Sequence, residues 1–536
     1  MKKTLSFFIL ATTCLTAGAQ QAELLKDINP GTASSYIIYM TTLQNKVIFQ
    51  ATNKGNTNSE PWVTDGTSQG TFMLKEINPD PNLRSNIGQM IVYNNEVYFS
   101  ADDGTHGTEL WKTDGTTDGT KMVKDIAPGS VYGHPGDFAV FKGALYFHAT
   151  HPDTGSELWK SDGTTDGTIM VKDLSEGTTS TLPGCLFATS SMLYFFGLND
   201  HKLYGSDGTV NGTKLISDKV KVGQLDNAFF AEYKNEVYFR AVDATSVTGS
   251  QLWKTSGNSV TRVTGFLSGT TQFDPSHLTL AGGKLFMVGE QEPYGRELWV
   301  LDDSGIHMVK DINPDGHGGL AGAFFTEFKG KLVFSANPPS SGQEVWVSDG
   351  TEAGTKIIKD LNPGPASSFA ISPVNIGDTL YYSADDGTGG ELWRLISPDG
   401  QPEKFTNITG GGAWGPELAR IGKTFVFSAG DATSGTELWK MMVSGSTSAK
   451  DICPEDPQTL LYPNPVNDYF IVEIPDLFSL PAVISLYNIS GERIMETEAT
   501  NYSMTFNACK LRLSSGLYFM RVEDGTKHQT IKFLVI

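Results

Sequence analysis

The sequence predicts an all-β protein. Gly (58 residues) and Pro (25 residues) are abundant among the 536 residues, yet 39% of the chain is hydrophobic and 11% is aromatic, which excludes a disordered or collagen-like polymer. Charged residues make up only 19%. This composition favours short strands joined by tight turns over long helices with charged surfaces.

One phrase recurs along the chain and sets its organisation. In a clear copy, Glu109-Leu110-Trp111 is followed by an Asp-Gly-Thr triplet at 114–116 and by Val-Lys-Asp-Ile at 123–126. The aromatic residue of the phrase stands at 62, 111, 159, 204, 253, 299, 346, 393 and 439. The mean step of about 47 residues matches one four-stranded blade of a β-propeller. Residues 22–453 are therefore predicted to form one closed β-propeller of about nine blades.

The strands of one unit can be assigned from its hydrophobic pattern. Two short runs joined by Asn94-Asn95 form the first hairpin, the Glu-Leu-Trp run is the third strand, and the Val-Lys-Asp-Ile segment is the fourth. The second strand ends in a small residue in every unit, which permits close approach of neighbouring blades. These small residues are Ala51, Ala101, Ala149, Gly197, Ala241, Gly289, Ala336, Ala384 and Ala429. The recurrent Trp is then expected in the core between blades, and Glu109 is expected opposite Lys124 as a cross-strand ion pair.

The sequence leaves two ways in which the ring could close. A fourth-strand phrase at 25–28 precedes the first full unit, while Lys450-Asp451-Ile452 completes the last unit. Either one such strand is surplus or the ring is closed by strand exchange. Two smaller rings, or one ring with a displaced unit, are the alternatives, since nine blades exceed the usual four to eight.

The N-terminus predicts export. Lys2 and Lys3 precede an apolar run, and a small-residue motif ends at Ala19, so residues 1–19 are interpreted as a signal peptide cleaved before Gln20. Cys14 raises a lipoprotein alternative, although the residues before it make a poor lipobox. No later stretch is long and apolar enough for a transmembrane helix. The formal charge of -20 argues against nucleic acid as a partner.

The repeated residues resemble the ELWxxDGT repeat family of exported bacterial proteins. The signature is Glu109-Leu110-Trp111 through Thr116, and it recurs from about residue 22 to residue 453. Two units depart from the pattern, with Tyr204 in place of Trp and a Ser-Gly-Asn triplet at 256–258 in place of Asp-Gly-Thr.

Residues 461–536, after a linker at 454–460, show alternating strands that predict a small immunoglobulin-like β-sandwich. Their landmarks are similar to those of the type A sorting domain of the type IX secretion system, namely Tyr462, Pro463, Asn464, Pro465, Gly516, Tyr518 and Lys532. The resemblance implies passage through the Sec translocon and then the type IX machinery, to the cell surface or the medium. An ordinary immunoglobulin-like binding module is the alternative.

The sequence gives no support for a catalytic centre, a cofactor or a metal site. The nine histidines share no repeat position, and no nucleophile or zinc motif occurs. The Asp-Gly-Thr triplets are interpreted as hairpin turns rather than calcium loops, and Asp102-Asp103-Gly104 and Asp385-Asp386-Gly387 are better calcium candidates than the triplets. We therefore expect a binding protein and not an enzyme. A hydrolase or lyase with its site across the channel, and a structural adhesin, are the alternatives.

The loops between second and third strands differ from unit to unit, whereas the hairpin turns are uniform. Divergent loops are free to carry recognition. A ligand, with a glycan or a matrix protein as candidates, is therefore expected on the face that holds these loops and the crossovers between units, near the channel mouth. The candidate contacts are Tyr132, His134, His151 and Tyr294.

Overall fold

The computed structural model divides the chain into two compact units, Met1–Val443 and Ser444–Ile536. In the first unit it describes residues 22–442, except 54–58, 81–82, 223–228, 246–248, 258, 265–271, 316–317, 321–323, 409–410 and 414–416. In the second unit it describes residues 460–535, except 463–468, 475–477, 489–491, 501, 509, 512, 514–515 and 526. The predicted signal peptide with Ala19 and Gln20, and all but the last residue of the predicted linker, lie outside these ranges.

Every regular element of the described residues is a β-strand, which confirms the all-β prediction. The strands of the first unit are β1 (Glu23–Lys26), β2 (Ile38–Leu43), β3 (Lys46–Thr52), β4 (Ser59–Thr64), β5 (Phe72–Met73), β6 (Ile91–Tyr93), β7 (Glu96–Asp102), β8 (Thr108–Thr113), β9 (Lys121–Lys124), β10 (Gly136–Phe141), β11 (Ala144–His151), β12 (Gly155–Ser161), β13 (Ile169–Lys172), β14 (Pro183–Ala188), β15 (Leu193–Gly197), β16 (Leu203–Ser206), β17 (Lys214–Ser217), β18 (Val220–Lys221), β19 (Ala231–Tyr233), β20 (Glu236–Asp243), β21 (Gln251–Thr255), β22 (Val260–Arg262), β23 (Ser276–Ala281), β24 (Lys284–Gln291), β25 (Gly295–Asp302), β26 (Gly305–Lys310), β27 (Phe325–Phe328), β28 (Lys331–Ala336), β29 (Glu344–Ser348), β30 (Lys356–Lys359), β31 (Ile371–Ile376), β32 (Thr379–Asp385), β33 (Gly390–Leu395), β34 (Glu403–Lys404), β35 (Gly411–Gly412), β36 (Leu418–Ile421), β37 (Thr424–Asp431) and β38 (Gly435–Met442).

These strands form antiparallel sheets that follow one another along the chain. Sheets 1 to 4 are β2–β5, β6–β9, β10–β13 and β14–β17; sheets 6 to 8 are β23–β26, β27–β30 and β31–β34. Sheet 5 contains β18–β22, and sheet 9 contains β35–β38 together with β1. In each sheet the strands pair largely in chain order, so that each unit of the repeat builds one four-stranded meander or a close variant of it. The described part of the unit is thus propeller-like.

Local backbone chemistry explains the uniform hairpins. Asn94 and Asn95 join β6 to β7 with φ of 48° and 62°, the left-handed conformation that a two-residue hairpin turn requires. At the next hairpin, Asp114 Oδ1 accepts hydrogen bonds from the Thr116 amide (2.9 Å) and hydroxyl (2.6 Å), while Gly115 has φ of 81°. The Asp-Gly-Thr triplet therefore forms a turn closed by its own side chains, as predicted.

Apolar cores lie between successive sheets. The cluster between sheets 1 and 2, for example, joins Ile48 and Val63 to Phe99 and Trp111. Equivalent clusters connect each sheet to the next through to sheet 9. The recurrent Trp residues belong to these clusters and are at most 8% exposed, which confirms their predicted place in the core. The fully buried Ala101 fits the expectation that a small residue allows close packing.

The N-terminal strand belongs to the last sheet. β1 pairs with β38 in antiparallel register, with Leu24 opposite Trp439. A further apolar cluster unites Leu438 of sheet 9 with Phe49 and Trp62 of sheet 1. β1 therefore occupies the fourth-strand position of sheet 9, which is the pairing that the strand-exchange alternative requires. The segment Lys450-Asp451-Ile452, predicted for that position, lies outside the described residues.

The predicted ion pair between Glu109 and Lys124 is wrong. A bulge between Leu110 and Trp111 shifts the register, so that Lys124 pairs with Leu110 and its Nζ donates to the Thr168 carbonyl of sheet 3 at 2.9 Å. Glu109 is instead fully buried and accepts hydrogen bonds from the backbone amides of Ile126 (2.8 Å) and Ala127 (3.0 Å). We call this arrangement the glutamate clamp.

The clamp recurs in the sheets whose third strand carries Glu two residues before the recurrent Trp. It holds the backbone that leaves the fourth strand of the same sheet, through Glu60, Glu157, Glu297, Glu344 and Glu391. In sheet 9, Glu437 Oε2 accepts a hydrogen bond from the Ile28 amide at 2.7 Å, across 409 positions of sequence. The same interaction therefore recurs in seven of the nine sheets, sheets 4 and 5 having Lys202 and Gln251 in place of the Glu, and in sheet 9 it links residues near the two ends of the described first unit.

The second unit consists of seven strands in its described residues: β39 (Leu460–Tyr462), β40 (Tyr469–Glu473), β41 (Ala482–Asn488), β42 (Arg493–Ala499), β43 (Ser503–Asn507), β44 (Gly516–Glu523) and β45 (His528–Val535). They form two antiparallel sheets, β39-β40-β43 and β42-β41-β44-β45. One core is shared by both sheets and includes Phe470, Phe506, Ile484, Met520 and Phe533. The unit is therefore a two-layered β structure.

The clamp in sheet 9 can be tested by a matched pair of substitutions. Glu437→Ala leaves the buried amide of Ile28 without its acceptor, so we expect the free energy of unfolding to fall by about 1–3 kcal/mol. Glu23→Ala removes only the exposed ion pair with Lys440 (3.1 Å) and should cost less than about 1 kcal/mol. Urea denaturation measures both changes. Equal losses for the two variants would show that the clamp does not stabilise closure.

The clamp also predicts a pH dependence of stability. Burial raises the pKa of Glu109 to about 7, against the opposing effect of the Ile126 and Ala127 amides. As the pH rises from the ordinary pKa of the unfolded chain, 4.5, towards 7, the unfolded state releases its proton first, so the free energy of unfolding falls. Glu109→Gln cannot ionise and should flatten this fall. Urea midpoints at about pH 5 and about pH 8 test this; an unchanged difference between the two midpoints would contradict it.

Candidate functional site

One variable position stands out when the nine sheets are aligned on the small residue that ends each second strand. This position lies twelve residues before the small residue; in sheet 3, for example, it is Asp137, twelve residues before Ala149. Its side chain changes from sheet to sheet. We call these residues the entry positions, because they lie at or just before the first strand of each sheet. They are Tyr39, Gln89, Asp137, Cys185, Phe229, His277, Phe324, Ser372 and Glu417.

The backbone is strained at the entry positions. Six of them have positive φ although none is glycine: Tyr39 (59°), Asp137 (52°), Cys185 (56°), Phe229 (48°), His277 (56°) and Ser372 (54°). In sheet 3 the register between first and second strands shifts at this point, between Gly136 and Ala139. Left-handed conformations cost non-glycine residues about 1–2 kcal/mol each. Strain of this kind is concentrated at functional sites.

Five entry positions from successive sheets line one cavity of about 460 Å³. They are Gln89, Asp137, Cys185, Phe229 and His277. Phe325 at the start of β27 extends the wall to sheet 7. The first strands of six consecutive sheets, or the residues just before them, therefore surround a single space, which lies within the size range of ligand pockets.

The wall of this cavity has an aromatic side and a polar side. His277 lies between Phe229 and Phe325, with ring centroids 5.6 Å and 5.5 Å apart. Phe187 of sheet 4 stacks on Phe230 of sheet 5 at 5.6 Å. On the polar side, Gln89 is exposed and the Asp137 side chain is 42% exposed. The lining thus combines aromatic residues of sheets 3 to 7, Phe138 of sheet 3 among them, with polar residues of sheets 2, 3 and 6, the last being Thr279.

Electrostatics give the cavity a negative character. Burial and the positive charge of Arg296 lower the pKa of His277, which favours its neutral form. Arg296 itself is paired with Asp274. Asp137 therefore supplies the formal charge of the described lining, and an anionic ligand would be repelled from it.

A second cavity of about 450 Å³ lies between sheets 2 and 3. Tyr132 and His134, two of the predicted contacts, line it together with His148. The rings of Tyr132 and His134 stack, with their centroids 5.2 Å apart. Burial lowers the pKa of His148, and the nearby Asp137 opposes that shift. The Asp137 carboxylate lies 3.8 Å from His148 Nδ1. Because Asp137 lines the first cavity and His148 lines the second, this pair connects the walls of the two cavities.

The other two predicted contacts lie elsewhere. His151 ends β11, and its Nδ1 accepts a hydrogen bond from the Asp153 amide at 3.2 Å. Tyr294 is exposed in the turn between β24 and β25, where its amide donates to the Gln291 carbonyl. Neither lines the two cavities. The structure thus brings together Tyr132 and His134, and a ligand role for all four residues stays a prediction.

Sequence reasoning missed the entry positions. Their signal was a constant spacing of twelve residues to the small residue of the second strand, combined with a changing side chain.

In the calcium alternatives, Asp102 Oδ1 accepts a hydrogen bond from the Gly104 amide and Asp103 Oδ1 accepts one from the Thr105 amide, so both carboxylates are engaged in their own loop. Within the described part of the chain, no three His, Cys, Asp or Glu side chains form a group that could hold a metal ion.

In the second unit, Gly516 begins β44 and Tyr518 is buried in the same strand, stacked on Phe533 at 5.8 Å. Tyr462 ends β39 and Lys532 lies in β45, opposite Phe519. The predicted residues Pro463, Asn464 and Pro465 lie outside the described ranges.

Comparison with known families identifies this second unit. Residues 460–536 match the secretion system C-terminal sorting domain. None of the curated protein sequences matches the chain significantly. No helix among the described residues is long and apolar enough to cross a membrane. The sorting domain indicates export by type IX secretion to the cell surface or the extracellular space, which confirms the predicted localisation.

Three solved structures are similar to the chain at low identity. PorZ, a surface component of the type IX secretion system of Porphyromonas gingivalis, is 12% identical, with 93% of this chain and 86% of that chain covered and a TM-score of 0.19. The β-propeller domain of the Trilobed protease from Pyrococcus furiosus is 10% identical, with 70% and 99% covered and a TM-score of 0.34. A prolyl endopeptidase is 11% identical, with 74% and 55% covered and a TM-score of 0.38. Likenesses at this level carry no inference about activity.

Strain at the entry positions predicts a stabilising substitution. Ser372→Gly relieves the left-handed conformation without removing a large side chain, so we expect the free energy of unfolding to rise by about 1 kcal/mol. Ser372→Ala, the control, keeps the same strain and should give no increase. Urea denaturation distinguishes the two variants. If alanine stabilised the protein as much as glycine, the strain would be absent.

Proposed function

We propose that the first unit is a closed nine-bladed β-propeller and that the second unit is immunoglobulin-like. The nine consecutive sheets, the apolar cluster between sheets 9 and 1, and the pairing of β1 with β38 support closure. The amide of Met40 in sheet 1 also donates to the carboxylate of Glu417 next to sheet 9, at 3.1 Å. The repeats of 22–453 stay assigned to the ELWxxDGT family by resemblance only.

We propose that the protein is an exported cell-surface or secreted binding protein. The observation that carries this proposal is the set of entry positions. Five of them line one cavity, and each has a different side chain on a backbone that otherwise repeats. Side chains that vary around a single space, on a backbone that repeats, have the form of a recognition site built on a fixed scaffold. The type IX machinery is the partner in export, and a glycan or a matrix protein is the proposed ligand.

We propose binding without chemical conversion. His277 lines the cavity and Ser276 precedes it in β23, with 3.1 Å between Ser276 Oγ and His277 Nδ1. Ser276 is buried, however, and its Oγ also accepts a hydrogen bond from Arg296 at 3.0 Å. A hydroxyl engaged in this way serves packing rather than nucleophilic attack, which needs an accessible oxygen beside a base.

The proposed site can be tested by filling it. Thr279 lines the cavity, so Thr279→Trp should remove most of the free space and abolish binding to ligands found in a glycan and matrix-protein array screened with the mature secreted protein. Thr326 occupies the equivalent place in sheet 7 and does not line the cavity, so Thr326→Trp is the matched control. A hydrolase panel run alongside should show no turnover.

Loss of binding in both variants, or in neither, would place the ligand elsewhere. Thermal unfolding of both variants checks that each retains its fold. Turnover of any substrate that Thr279→Trp abolishes would replace the binding proposal by an enzymatic one.

A further inference from the structure

The chemistry of the cavity wall narrows the class of ligand, if the proposed function is right. The wall presents apolar aromatic rings on one side and hydrogen-bonding groups on the other. Phe229, His277 and Phe325 form a continuous row, because each neighbouring pair of centroids is 5.5–5.6 Å apart. A ligand that satisfies both sides must itself have an apolar face and a polar edge.

The polar groups include donors as well as acceptors. Asp137 offers a carboxylate that only accepts hydrogen bonds when ionised, whereas Gln89 offers an amide that donates and accepts. Thr279, two residues after His277 in β23, adds a hydroxyl that already donates to the His277 carbonyl (2.9 Å) and therefore offers the ligand an acceptor. A ligand rich in hydroxyl groups can use all three, because each hydroxyl donates one hydrogen bond and accepts others. An organic cation would be attracted by Asp137 but would leave the amide donor of Gln89 unused.

Charge and size restrict the ligand further. The Asp137 carboxylate disfavours phosphate, sulfate and uronate groups, because a like charge in the same cavity is repelled. The volume of about 460 Å³ lies within the range of about 300–1,000 Å³ found for small-molecule pockets. A sugar ring combines C–H groups on its face with hydroxyls at its edge, and two linked rings are small enough for a pocket of this class.

We propose that the cavity binds a neutral sugar unit, with its apolar face on the aromatic row and its hydroxyls towards Gln89, Asp137 and Thr279. Phe229 is the central contact, since it carries strained backbone, is half-buried and belongs to the row. Asp137 is the acceptor on the opposite side. The site would hold a glycan through one or two neutral sugar units of that glycan.

The test is calorimetric titration of the full mature chain with cellobiose, maltose and lactose, and with tetramethylammonium and glucuronate as charged probes. At least one neutral disaccharide should bind. Phe229→Ala should then raise its Kd about tenfold or more, because an aromatic contact is lost. Asp137→Asn, which changes an exposed side chain and keeps its shape, should weaken binding by a smaller factor. Ser372→Ala, at the equivalent position outside the described lining, should leave the Kd unchanged within about twofold.

The possible outcomes separate this proposal from the one on which it rests. Binding of tetramethylammonium in place of the sugars, or of none of the probes, overturns the sugar assignment. If wild type binds a non-sugar ligand from the array and Thr279→Trp does not, the proposed binding site is supported and only the ligand class is wrong. If a disaccharide binds equally well to wild type, Phe229→Ala and Thr279→Trp, both proposals fail at this cavity.

Discussion

The glutamate clamp is the interaction on which the rest of the first unit depends. The backbone that leaves each fourth strand has amide groups outside the sheet ladder, and buried amides must find acceptors. In seven of the nine sheets a buried Glu from the third strand supplies them, as Glu109 does for Ile126 and Ala127. The path of the chain from one sheet to the next is therefore fixed by the sheet it has just left.

This constraint explains where the chain is free to vary. The clamp, the hairpin turns and the Trp side chains of the core hold the third and fourth strands of each unit in place. The entry position comes after the clamped backbone in sequence and before the buried second strand. Its side chain can change from Asp137 to Phe229 without disturbing either contact. The left-handed backbone at six entry positions costs about 1–2 kcal/mol each. The apolar clusters between sheets bury enough surface to tolerate that cost, at about 25 cal/mol for each Å² removed from water.

Much of this fold could be predicted from the sequence, because its signals are local or periodic. The 47-residue spacing, the two-residue turn at Asn94-Asn95 and the Asp-Gly-Thr turns each depend on nearby residues. The Glu109–Lys124 pairing could not be predicted, since one bulge after Leu110 shifts the register and exchanges the partners. Tyr132 and His134 were found through loop divergence. The cavity was missed because its lining comes from sheets that are distant in sequence, and no single unit contains a binding motif.

The pairing of the N-terminal strand with sheet 9 matters for the cavity as well as for stability. A ring of sheets joined only through successive cores would leave sheet 9 with an unpaired outer edge and sheet 1 with an uncovered face. β1 and the contact of Glu437 with Ile28 remove that edge, while Val426 and Leu438 cover sheet 1. Each entry position is then held by neighbours on both sides, and side chains from six sheets can keep fixed distances across the cavity. A binding site assembled from weakly related units needs that rigidity more than any one strong contact, because its affinity depends on several groups meeting the ligand together.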